Sequence, residues 1–128
     1  MRYYNGSTFV LVKDTHSWLE AVGRCHSLGG HLAVADDRDD FEVFLSMLAD
    51  YRASGGSETR LWLDGSDEMH EGTWFCQSRA GVCPYFSWAS NQPDNHNGNE
   101  NCLALYDSSD NMNDLSCSAK LPLICEFE

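Results

Sequence analysis

Residues 87–106 read SWASNQPDNHNGNENCLALY, and two unlike halves meet within them. From Ser87 to Glu100 the chain is rich in Asn, Gly, Pro and Asp, with only Trp88 and Ala89 apolar. Cys102-Leu103-Ala104-Leu105-Tyr106 then has the apolar texture of a strand. A polar stretch of that length is usually either functional or disordered. Strand-like segments on both sides, with Cys102 directly behind, favour an ordered loop, and binding chemistry is expected there.

Working outward, short strands are expected at Leu61-Trp62-Leu63, Thr73-Trp74-Phe75 and Leu121 to Phe127. Nearer the start the texture is helical. An apolar run, Phe9-Val10-Leu11-Val12, reads as a strand, and Ser17-Trp18-Leu19-Glu20 has the form of a capping box. Trp18, Val22, Cys25 and Leu28 follow with helical spacing, which puts Cys25 on a buried face, and Gly29-Gly30 stops the helix. A second helix opens at Asp36-Asp37, whose charges suit its N-terminus. It carries the stripe Phe41, Phe44, Leu45 and Leu48 and ends in Ser54-Gly55-Gly56-Ser57. Trp18, Trp62, Trp74 and Trp88 are read as core aromatics. His16, His26, His31 and His70 share no metal-ligand spacing and read as surface or satisfied histidines.

The 128 residues fit one domain, with no repeat or low-complexity segment. Eight basic against 20 acidic residues give a net charge of −12, which argues against nucleic acid and anionic membrane as partners. No apolar run approaches the roughly 20 residues of a membrane span. Met1-Arg2-Tyr3-Tyr4-Asn5 lacks the apolar region of a signal peptide, so a secreted chain is expected to be in mature or trimmed form here. Six cysteines point to an oxidising compartment and to disulfides, whose connectivity the sequence leaves open. Zinc is the weaker reading, because no C-x2-C pair is present.

Helix, helix with a cysteine in the first, then Trp62-Leu63-Asp64-Gly65 resembles the tryptophan-led signature of C-type lectin domains. Gln92-Pro93-Asp94, Glu100, Cys102, Asn113-Asp114, Cys117 and Cys125 resemble that family's landmarks in order. The likeness runs from about Phe9 to Glu126. It implies an α+β C-type lectin-like fold, with two helices flanking small antiparallel sheets and a long calcium-binding loop. It also implies disulfides Cys25–Cys125 and Cys102–Cys117, leaving Cys76 with Cys83 as a local staple. In the chain-entropy model, closing about 100 residues stabilises by roughly 4–5 kcal/mol and about 15 residues by roughly 3. Met112 stands where the family usually has Trp.

The ligand chemistry fits the resemblance. Calcium takes about 6–8 oxygen ligands. Gln92 and Asn113 offer amide oxygens, Asp94 and Glu100 carboxylates, and Asp114 both side-chain and backbone oxygens. The family pattern implies a cis Pro93, which places Gln92 and Asp94 on one side of the loop. It also implies that two vicinal sugar hydroxyls complete the ion's coordination while bonding the same side chains. The order Gln-Pro-Asp resembles the galactose or N-acetylgalactosamine type, with mannose-type binding as the exchanged arrangement. His96 stands near the place where galactose binders carry a stacking aromatic. Asp67, Glu71, Asn95 and Asn101 fall where the family places a second calcium site.

The expected function is therefore calcium-dependent binding of glycans by a secreted, extracellular lectin, with innate immune recognition or agglutination as the family-level role. Oligomerisation is left open. The rival is a protein-binding module of the same fold that uses no sugar, and fold alone does not separate the two. No nucleophile, base and orienting group form a legible set, so enzyme chemistry is not expected.

Overall fold

The computed structural model describes residues 1–68, 73–86, 101–106 and 112–128. The chain begins with a hairpin, β1 (Arg2–Tyr4) and β2 (Ser7–His16), in which Tyr4 pairs with Ser7. Its two-residue turn holds Asn5 at φ 52° and Gly6 at φ 89°, the positive angles that tight hairpins require. Ser17 then caps α1 (Trp18–Ser27). Its hydroxyl accepts from the Glu20 N–H while the Glu20 carboxylate accepts from the Ser17 N–H, so the expected capping box is formed.

The first helix stops on the glycine pair as read. Gly29, at φ 94°, donates to the His26 carbonyl, and Gly30 donates to that of Cys25. Its buried face is Trp18, Ala21 and Cys25. Leu28 is the C-cap and is 44% exposed, because the chain leaves the helix before that position can turn inward. Gly30 also sets the next contact. A Cβ there would lie 2.5 Å from the Glu126 carbonyl oxygen, so only glycine lets β3 (His31–Leu32) lie against β9 (Leu121–Phe127).

Asp37 caps α2 (Arg38–Ala53) by accepting from the Asp40 N–H. Phe41, Phe44, Met47 and Leu48 are buried, whereas Leu45 is only partly buried, so Met47 rather than Leu45 completes the stripe. The remaining elements are β4 (Arg60–Ser66), β5 (Phe75–Cys76), a 3-10 turn at Gln77–Arg79, β6 (Gly81–Val82), β7 (Cys102–Tyr106) and β8 (Met112–Leu115). Thr73 and Trp74 precede β5 instead of forming part of it, although Trp74 is buried.

The strands join in one network, in the order β1-β2-β9-β4-β5-β6, with β3 on β9 and with β7 linking β4 to β8. Pairing is antiparallel except between β4 and β9, where Trp62 meets Leu123 in parallel. β4 divides the core by strand alternation. Leu61 and Leu63 pack with Phe9, Phe41, Phe44 and Leu48, toward α2. Trp62 packs with Trp18, Ala21, Cys25 and Leu121, toward α1. The two indoles tie the layers together, Trp62 donating to the His16 carbonyl at 2.8 Å and Trp18 to that of Leu63 at 3.0 Å. Met112, opposite Leu105 and 1% exposed, fills its place in the α2-side core.

Three disulfides are closed. Cys25–Cys125 ties α1 to β9, Cys76–Cys83 staples the β5–β6 hairpin, and Cys102–Cys117 joins the start of β7 to the chain just past β8.

Candidate functional site

The central strands gather four of the candidate residues at one end of the β4-β7-β8 ribbon. Ser66, the last residue of β4, pairs with Cys102, the first of β7, and Cys102 pairs with Leu115, the last of β8. Just past Ser66, the Asp67 N–H donates to the Asn101 carbonyl at 3.0 Å. Just before Leu115 come Asn113 and Asp114. Asp67, Asn101, Asn113 and Asp114 thus share one edge of the fold, which Asn101 connects covalently to the polar segment ending at Glu100. Gln92, Pro93, Asp94, Asn95, His96, Glu100 and Glu71 lie outside the described residues, as do Trp88 and His70.

Strand alternation distributes the Asn-Asp pair. Asn113 stands opposite Ala104, and Asp114 opposite Leu103, so their side chains leave β8 on opposite faces. What they share is the outer edge of β8, which pairs only with β7 among the described residues. Asp114 and Asp67 are buried, at 2% and 1% exposure. Asn113 is half-buried, yet its amide oxygen is fully covered and has no hydrogen-bond partner. A buried acceptor left unpaired costs about 1–3 kcal/mol. A covered amide oxygen with no donor fits a hard cation that coordinates oxygen.

The same end contains a contrasting acid that sequence reading placed only in a signature. Asp64 is buried and accepts three bonds: from the Gln77 N–H at 3.2 Å, the Ser78 N–H at 3.0 Å and the Ser78 hydroxyl at 2.7 Å. It therefore anchors the 3-10 turn, and with it the Cys76–Cys83 hairpin, onto β4. No spacing rule could have shown this, because the turn it holds is more than ten residues away.

Two helices on a mixed sheet, the tryptophan-led central strand and the Asn-Asp strand paired with β7 define a class of protein. The chain belongs to the C-type lectin family: the sequence model of the Lectin C-type domain matches residues 14–127. Among curated proteins, it is similar to a C-type lectin of Cerberus rynchops, 32% identical over 128 residues, covering 97% of this chain and 78% of that one. Among solved structures, human lithostathine superposes with a TM-score of 0.87 at 21% identity, covering 99% of this chain and 87% of that one. The C-type lectin CEL-I from Cucumaria echinata superposes at 0.83 with 20% identity, covering 97% and 91%. At such identities the two structures show the fold alone, and that fold is the expected α+β one.

Proposed function

We propose that residues 1–128 form one carbohydrate-recognition domain that binds glycans through calcium held by Gln92, Asp94, Glu100, Asn113 and Asp114. The observation that carries this reading is the Asn113 amide oxygen, buried and unpartnered on a strand that pairs only with β7 among the described residues. Calcium supplies the missing partner, and the carboxylates of Asp94, Glu100 and Asp114 supply the charge. The Cerberus rynchops relative is named a lectin, which supports sugar as the ligand class.

Sugar hydroxyls would take the coordination positions that the protein leaves to water, and the amides and carboxylates would bond the same hydroxyls. Gln92 before Asp94 favours the galactose or N-acetylgalactosamine arrangement, with His96 offering a ring face to the sugar. Asp67, Asn101, Glu71 and Asn95 form an auxiliary calcium site in this reading, supported by the Asp67–Asn101 contact. Three disulfides support a secreted protein. Among the described residues no helix is long and apolar enough to cross a membrane.

A glycan array read with calcium and again with chelator tests the proposal. Galactose-terminated glycans should be retained with calcium and lost with chelator. Glycan binding that ignores the chelator removes the calcium bridge from the reading. A chain that retains no glycan under either condition is a protein-binding module instead. Specificity is tested by exchanging the pair, Gln92→Glu with Asp94→Asn, which keeps oxygen count and charge while moving the amide donor. The galactose-to-mannose ratio should fall on the order of tenfold, since mispairing a polar group costs roughly 1–3 kcal/mol.

A further inference from the structure

Away from the lectin edge, β3 and β9 bring three metal-binding side chains onto one face. His31 pairs directly with Glu126, so their side chains project together, and Glu128 follows two residues on from Glu126. A ring nitrogen of His31, a Glu126 carboxylate oxygen and a Glu128 carboxylate oxygen all lie within 4.8 Å of one another. Sequence spacing hides the set, because His31 and Glu126 meet only through the sheet.

Each donor is oriented by something else. The Nδ1 of His31 lies 2.7 Å from the Leu32 carbonyl, a contact only an N–H can satisfy. In neutral imidazole that leaves Nε2 as a bare acceptor, and it faces the Glu128 carboxylate at 2.5 Å. A proton or a metal ion can bridge that pair. Glu126, almost wholly buried, accepts from the Ser7 hydroxyl at 2.7 Å and from the Val34 N–H at 3.2 Å. A carboxylate has about four lone-pair sites, so acceptor capacity remains. A histidine whose second nitrogen bonds a backbone carbonyl, beside a carboxylate fixed by hydrogen bonds, is the arrangement that holds a metal's ligands in place.

Charge matches as well. The Arg79 guanidinium is committed to Asp36 through bonds of 3.0 and 2.9 Å and reaches Glu126 and Glu128 only at 3.7 and 3.9 Å. Asp36, Glu126 and Glu128 against this one arginine leave two negative charges. Glu128 is 57% exposed and opens the group to solvent, while His31 and Glu126 form its inner wall.

We propose that His31, Glu126 and Glu128 form a second metal site, selective for a zinc-like ion and independent of the calcium site. Mixed nitrogen and carboxylate donors suit zinc, whereas calcium prefers oxygen alone. Tetrahedral zinc at ~2.0–2.2 Å needs donors about 3.3 Å apart. The ion would thus replace the short His31–Glu128 contact by widening it, with water as the fourth ligand.

Titration of the whole chain with zinc chloride in a calcium-containing buffer, followed by calorimetry, tests this. One equivalent of zinc should bind with calcium present. His31→Gln and Glu128→Gln should each weaken it by roughly tenfold or more, since even the supporting partners of metal ligands are worth about 10–100-fold. His26→Gln, an exposed histidine outside the group, should leave affinity unchanged. The cobalt form should show visible absorption bands that both ligand variants lose. Because these substitutions lie at the surface and beside it, melting temperature without zinc separates lost binding from lost folding. No zinc uptake, or uptake equal in the wild type and in both correctly folded ligand variants, overturns the site.

Discussion

Asp64 and Asn113 are short polar side chains on neighbouring parts of one sheet, and the fold treats them in opposite ways. Asp64 accepts three hydrogen bonds and fastens a turn to the central strand. Asn113 presents a covered amide oxygen that accepts none. Most buried polar atoms in folded proteins find partners. The difference separates a group that holds the scaffold from one that no scaffold donor meets, and under the proposed function calcium meets it. Glu126 belongs with Asp64 in having scaffold donors, through Ser7 and Val34, yet it retains spare acceptor capacity as Asn113 does.

The largest expected effect contrasts the disulfides at the two ends. Replacing both Cys25 and Cys125 by Ala opens a closure of 100 residues, which should cost about 4–5 kcal/mol in a urea melt. Replacing Cys102 and Cys117 opens 15 residues and should cost about 3 kcal/mol. Only the second pair should also abolish the response of melting temperature to calcium. If the first pair abolishes it equally, the proposed calcium site is not independent of the scaffold.

Next in size is a direct contrast of the two polar residues. Asp64→Ala strands three donors and should destabilise by about 2–3 kcal/mol whether or not calcium is present. Asn113→Ala removes an acceptor that has no partner, so without calcium it should be close to neutral. With calcium, the wild type should gain RT ln(1 + [L]/Kd), about 2.7 kcal/mol at a hundredfold excess over Kd, and Asn113→Ala should lose most of that gain. Paired thermal melts in calcium and in chelator read both. Equal destabilisation of Asn113→Ala under the two conditions would show that its amide serves the fold after all.

Local rules made much of this architecture legible before any coordinates. Capping chemistry set the start of α1 at Ser17, and the glycine pair set its end. The apolar runs at Cys102–Tyr106 and Leu121–Phe127 match their strands end to end. Features made by tertiary contact were less visible. β3 and β6 are two residues each and depend on partners distant or brief, so no periodicity can build up in them. β8 was hidden because Asn113-Asp114 reads locally as a turn, and only its pairing with β7 makes it a strand. Leu28 followed helical spacing into a position where the helix had already ended. At the candidate site, the family resemblance groups Asp67 with Asn101, and the Asp67 N–H meets the Asn101 carbonyl. The three bonds to Asp64 and the meeting of His31 with Glu126 were not legible, since each joins segments that are remote in sequence.

The smallest effect concerns an exposed acid on the scaffold side. The Glu20 carboxylate accepts from the Lys120 ammonium at 2.8 Å and from the Ser17 N–H at 3.0 Å. Chiefly through Lys120, and then through Ser17, its pKa is lowered from 4.5 to about 2. A carboxylate with a depressed folded-state value contributes stability that is complete above its unfolded pKa and is lost as pH falls through the folded one. Its contribution should therefore fade between about pH 4.5 and 2. Solvent screens a pair this exposed, so the change should be small. Melting temperature should fall less steeply across that window in Glu20→Gln than in the wild type, with Lys120→Met lying between them. The scan belongs in chelator, so that calcium does not contribute to the slope. With calcium absent, any remaining difference between Glu20→Gln and wild type is due to the capping box and its lysine. Parallel curves would mean that Glu20 is held no better than a free surface carboxylate. The contrast between acceptors that meet a donor and one that does not would then apply to buried groups alone.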